Sequence, residues 1–139
     1  MTAYESEHRF RTAGDGTIVD LTAVARGAVA ESGITTGQLT VIVPGSTAGI
    51  TTIEFEPGLL EDLPRFFERI VPSRATYAHD ATWGDGNGFS HLRAALVGPS
   101  LGVPVSKGEL VLGTWQQIVF LEFDNRARNR RVHISVIGA

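Results

Sequence analysis

From Tyr4 to Thr12 the charged residues Glu5, Glu7, Arg9 and Arg11 alternate with Tyr4, His8 and Phe10, a period of two that predicts an opening strand. After Asp20 the period lengthens. Leu21, Val24, Ala25, Ala28 and Val29 recur at helical spacing, with Asp20 placed to cap the start and Gly33 to stop the chain in a left-handed turn. This predicts a helix over 21–32. "QLTVIVPG" and "AGITTIEF" are β-branched runs around a corner of Pro44, Gly45, Ser46 and Thr47, and read as two strands. "GLLEDLPRFFERIV" sets Leu59, Leu60, Leu63, Phe66, Phe67 and Ile70 on one broad face, but Pro64 lacks a backbone donor, so this helix is expected to kink or begin late. Ser90 is expected to cap a short helix that turns Leu92, Ala95 and Leu96 inward and ends at Gly98 and Pro99. The runs "SLGVPV", "ELVLG", "QQIVFLEFD" and "RVHISVIG" then predict an antiparallel meander. Strands before, between and after helices, without a strand–helix rhythm, indicate an α+β fold. The expected architecture is antiparallel sheets with two or three helices in one domain spanning 1–139.

Composition narrows the function classes. Apolar residues make up 42% of the chain and charged residues 19%, the balance of a chain that buries a core. The formal net charge is −3, with no long run of either sign, which argues against nucleic acid as a partner. "RARNRR", Arg126 to Arg131, lies between two strand-like runs and reads first as a solvated hairpin tip, with anion clamping by flexible arginines as the alternative. The absence of cysteine excludes disulfides, thiolate metal sites and a cysteine nucleophile. No signal-peptide pattern opens the chain and no apolar run reaches the length of a membrane span, so a cytoplasmic protein without membrane contact is expected.

Candidate chemistry gathers in "HDATWGDGNGFSHLRAALVGPS", His79 to Ser100. His79 and His91 bracket a glycine-rich loop that could fold both imidazoles toward one point, and Asp85 to Gly88 could form an anion-binding nest of amides or a plain surface turn. His8 and His133, in alternating strands, read as structural or solvent-exposed. Glu54 and Glu122 lie on strand faces with apolar neighbours and each needs a cation, a metal or donors nearby; for Glu122 an arginine such as Arg93 is the expected structural partner. Trp115 reads as a core or interface anchor. No Gly-x-Ser-x-Gly elbow, phosphate-binding loop of the Walker type or dinucleotide fingerprint is present.

The order of these segments is more specific than any one of them. "VIVPGSTAGITTIE", "EDLPRFFERIVP", "YAHD", "GDGNGFSHLRAALVGPSLGVPV" and "LGTWQQIVFLEFDNRARNRRV" resemble the YjbQ family, closely over about residues 38–138 and loosely before. The resemblance implies a homotrimer with polar pockets where subunits meet. It also implies a weak thiamine-phosphate synthase activity joining a hydroxymethylpyrimidine diphosphate to a thiazole phosphate. Carried onto this chain, it makes His79, His91 and Glu54 the catalytic candidates, with His79 and His91 as possible ligands of a divalent metal, Mg or Zn. Ser46, Thr47, Asn87, Arg93 and Gln116 become candidates for binding a phosphorylated substrate. Two departures weaken the metal reading: Gly45 and Phe89 stand where the family pattern often carries histidine, or aspartate at the second position. The alternative is a non-catalytic binding or structural trimer with a degenerate site.

Overall fold

The computed structural model describes residues 1–139, in the order β1 (Thr2–Thr12), β2 (Ile18–Asp20), α1 (Thr22–Ser32), β3 (Thr36–Ile42), β4 (Ala48–Ile53), α2 (Pro57–Ile70), α3 (Ala78–Trp83), α4 (Gly88–Val97), β5 (Ser100–Ser106), β6 (Glu109–Leu110), β7 (Gln117–Glu122) and β8 (Arg128–Gly138). The fold is α+β, with four helices. Every strand pairing is antiparallel: one sheet runs β1-β8-β3-β5-β6 and the other β2-β7-β4.

The expected meander is therefore replaced by exchange between two sheets. β5 returns to β3, β7 joins β4 and β2, and β8 inserts between β1 and β3. Alternation explains the sorting. β8 buries Val132, Ile134 and Val136 on one face, as β3 does Leu39 and Val41 and β5 Val103 and Val105. β7 is buried on both faces: Ile118 and Phe120 face the main core with α1, whereas Val119 and Leu121 face a second cluster with Phe67 and Ala94. The three-stranded sheet thus lies between the five-stranded sheet and helices α2 and α4. Truncating a fully buried ring such as Phe120 costs about 3–5 kcal/mol.

Local signals account for the helix ends. Thr22 N–H donates to Asp20 Oδ1 at 2.9 Å, and Gly33 closes α1 with φ of 69°. Helix α2 does not begin late: the Glu56 carboxylate accepts from the Gly58 and Leu59 amides, and Pro57 occupies the first helical position, where no donor is needed. The helix then runs on through Pro64. α4 starts one residue after Asn87 rather than at Ser90, whose hydroxyl is buried and donates to the Phe123 carbonyl at 2.5 Å. The face of α4 also differs from expectation: Phe89, Arg93 and Ala94 are buried, while Leu92 and Leu96 are 50% and 60% exposed. The arginine run is not a hairpin tip, since Arg128 to Arg131 open β8 and Arg130 turns into the core.

Candidate functional site

Helices α3 and α4 meet through a close backbone approach. A Cβ added to Gly88 would lie 2.7 Å from Tyr77 Cβ and 3.3 Å from His79 Cβ, so glycine is what allows the contact. The approach brings the His79 and His91 rings to a centroid separation of 4.4 Å. Nδ1 of His79 is shut off from solvent without a hydrogen-bond partner and faces Oδ1 of Asp80 at 3.6 Å and Oδ1 of Asp85 at 3.8 Å. Donor atoms of these three residues all lie within 4.8 Å of one another. A cation held at the usual ~2.0–2.2 Å separates its ligands by roughly 3–4 Å, so the donor set needs only a small contraction to close on one. One imidazole and two carboxylates suit Mg²⁺ or Zn²⁺ alike.

Outer partners hold the carboxylates in place. Gly88 N–H donates to Asp80 Oδ1 at 2.8 Å, which fills part of the expected amide nest with an internal anion. With its amide assigned so that nitrogen rather than oxygen faces the carboxylate, Asn87 donates to Asp85 Oδ1 at 3.0 Å, and Asn125 donates to the Asp85 backbone carbonyl at 2.8 Å. His91 opens on a cleft of about 280 Å³ lined also by Gly45, Ser46 and Pro99. The structure therefore brings together His79, His91 and Ser46, and adds Asp80 and Asp85, which were not singled out as ligands. The adjacency of Asp80 to His79, and the glycines that fold Asp85 back, were the signals available in the sequence.

Other candidates lie elsewhere. Glu54 follows the far end of β4, whose six residues span roughly 20 Å, beside Trp115 and Gln117 in a separate hollow of about 300 Å³. It cannot orient either histidine of its own chain. Gln116 donates to Thr52 Oγ1 at 3.1 Å and accepts from Gly113 N–H. Thr47 is buried, its hydroxyl donating to Asp124 Oδ2 at 3.1 Å and accepting from Arg130 Nη2 at 2.8 Å. Asn87 serves Asp85 rather than a free anion.

Arg93 is a structural cation, not a free phosphate ligand, and it is not the partner of Glu122. Its side chain is 2% exposed and donates to Asp15, Glu68 and the Val71 carbonyl at 2.8–3.2 Å. Glu122 pairs instead with Arg130, at 2.8 Å from Nε and 2.5 Å from Nη2. Burial raises the Asp15 carboxyl above the ordinary range, against the pull of Arg93. Glu68 is lowered, first by the Ser73 amide and hydroxyl and then by Arg93.

The two departures from the family pattern separate in space. Gly45 lines the His91 cleft, has no positive φ, and would direct a Cβ to 3.1 Å from Arg130 Nη1. Phe89 lies roughly 160° around α4 from His91, buried beneath the Arg93 guanidinium at 4.8 Å. A histidine at 89 would not reach the cleft.

Comparison with known proteins agrees with this architecture. The chain is 43% identical over 138 residues to a UPF0047 protein of Methanothermobacter thermautotrophicus, covering 99% of this chain and 94% of the relative. It is 36% identical to the UPF0047 protein YugU of Bacillus subtilis, covering 87% and 89%. Among solved structures, a YbjQ-like protein of unknown function from Sulfolobus solfataricus superposes with a TM-score of 0.88 at 29% identity, over 99% of each chain. An uncharacterised relative from Clostridium acetobutylicum gives 0.87 at 34%, over 95% and 99%. The model of UPF0047 protein YjbQ-like sequences matches residues 6–139, and the chain belongs to the YjbQ family.

Proposed function

We propose that the protein is an enzyme acting on a phosphorylated small molecule, with His91 as its acid–base group and His79, Asp80 and Asp85 as holders of one Mg²⁺ or Zn²⁺ ion. The observation that carries this reading is the unpartnered, solvent-excluded Nδ1 of His79 facing the carboxylates of Asp80 and Asp85. His91, at the cleft, supplies an imidazole to give or take a proton, and Ser46 lines the same wall for a polar substrate group. The cation would supply charge neutralisation for a diphosphate leaving group. The reaction we assign is the thiamine-phosphate synthase-like joining of a pyrimidine diphosphate to a thiazole phosphate, in a cytoplasmic homotrimer. Exposed Leu92 and Leu96, and Trp115 at 74% exposure, support subunit contacts, through which Glu54 would serve a neighbour's cleft. Gly45, which offers no donor to the cleft, favours a second reading: a binding trimer without chemistry.

Titration of the full chain with Mn²⁺ by calorimetry tests the site. Wild type is expected to bind, and Asp85→Asn and His79→Ala to lose at least the ~10–100-fold that even outer partners contribute. Unchanged affinity in folded variants would remove the metal reading. Incubation with both precursors then separates the two functions: product formed by wild type and absent in His91→Ala supports the enzyme, and metal binding without product supports the binding trimer.

A further inference from the structure

The β1–β8 ladder concentrates positive charge at one end of the five-stranded sheet, outside the cleft that His91 lines. It sets Arg9 opposite Arg131 and Arg11 opposite Asn129. With Arg128 and Arg130 these arginines line a hollow of about 610 Å³, completed by Phe10, Val43 and Pro44 and lined by no carboxylate. Like charges placed opposite each other destabilise a ladder. Glu7 offsets this pair by accepting from both, Arg9 at 2.7 Å and Arg131 at 3.1 Å. Asp124 holds Arg128 at 3.3 Å, Glu122 holds Arg130, and Arg11 enters no ion pair. Five guanidinium groups against three carboxylates leave two positive charges at this end of a chain whose net charge is −3.

We propose that this hollow is a second site, which binds the phosphate or diphosphate group of a small organic ligand. Guanidinium groups match phosphate oxygens in planar, two-pronged contacts, and a concave wall focuses their field. Arg11 and Arg131 lie on the exposed face and are the clamping pair; Arg130 is committed to the core and sets the floor. Pro44 gives the organic part an exposed apolar edge, while Phe10 and Val43 turn their side chains into the core beneath the arginines. The volume falls within the roughly 300–1,000 Å³ of small-ligand sites, and an acidic chain lacks the extended basic stripe that nucleic acid requires. The site stands on its own charge and shape and does not depend on the His79–His91 reading. Pro44 lines this hollow and Gly45 the His91 cleft, so the two sites lie on either side of one turn.

The test is calorimetric titration of the full chain with pyrophosphate and with inorganic phosphate, at low salt in buffer freed of divalent cations. Wild type is expected to bind pyrophosphate more tightly than phosphate and to weaken as salt rises. Arg11→Gln and Arg131→Gln should each lower affinity about tenfold or more, the scale of one hydrogen bond to a charged group, while Arg65→Gln, an exposed arginine on α2 outside both sites, leaves it unchanged. Should Arg131→Gln fail to fold, Arg11→Gln decides alone, because Arg11 holds no partner in the fold. Undiminished affinity in Arg11→Gln and Arg131→Gln, or an equal loss in Arg65→Gln, would overturn the proposal. So would a wild type that binds neither anion but whose sedimented mass falls in the double variant, which would show the hollow to be covered by another copy of the chain.

Discussion

Glu122 is 1% exposed, and its environment shows how a carboxylate is accommodated in the core. Its two oxygens accept from Thr12 Oγ1 at 2.6 Å, from two Arg130 nitrogens, and from Asp124 N–H at 3.1 Å. Removing one partner strands the other, so Arg130→Met is expected to lower unfolding free energy by about 3–5 kcal/mol in urea titration. Replacing both, as Glu122→Leu with Arg130→Met, should cost less than the single change. The need of Glu122 for a cation was legible in its apolar strand, but the identity of that cation was not. Arg130 is only eight positions away, yet on a strand of the other sheet. Around Arg93 the two carboxyls respond to pH in opposite senses. The lowered pKa of Glu68 contributes stability that is present above the ordinary carboxylate range and lost as pH falls through it. The raised pKa of Asp15 contributes stability at low pH that is lost as pH rises through its folded value. Glu68→Gln should therefore melt below wild type at pH 7 and approach it near pH 4, whereas Asp15→Asn should compare with wild type more favourably at pH 7 than at pH 4.

At the scale of elements, α4 divides its surface among three tasks. One face packs Phe89, Arg93 and Ala94, the next carries His91 to the cleft, and a third leaves Leu92 and Leu96 in the open. Periodicity alone offered two apolar stripes and no means of choosing between them, which is why Leu92 and Leu96 read as buried. The choice is made by the arginine on the buried stripe, which needs Asp15 and Glu68 beside it. If a neighbouring subunit covers the open stripe, Leu96→Glu should reduce the sedimented mass to that of one chain while leaving circular dichroism unchanged. The start of the same helix gives a sharper prediction. Gly88→Ala gains about 1 kcal/mol of helix propensity, but the new Cβ meets Tyr77 Cβ and the Asp80 carboxylate, so α3 must move away. A lower melting temperature and weaker Mn²⁺ binding are expected together. The strand-like runs and the cap at Gly33 could be read from spacing, whereas the twelve-residue gap between His79 and His91 offered only a glycine-rich loop that could let them meet. The adjacency of Asp80 to His79 and the glycines around Asp85 were visible, but what aims the two carboxylates is the packing of two short helices.

For the whole molecule, neighbours in sequence proved a poor guide to neighbours in a sheet. Strand β7 leads into β8 through five residues, yet the two lie in different sheets, and β8 pairs along its whole length with β1. Tight turns read from sequence report only that the chain reverses, whereas sheet membership follows which face of each strand must be covered. β8 needs one face covered and β7 needs two. Thr2 faces Gly138 at one end of the long ladder and Thr12 faces Arg128 at the other. Residues 128–139 thus form the middle of a sheet whose flanking strands precede them by about ninety residues or more. During synthesis on the ribosome, β1 and β3 must wait with open edges until the final strand emerges. A polypeptide released early, before residue 128, would carry Leu39 and Val41 uncovered and become a substrate for chaperones and proteases.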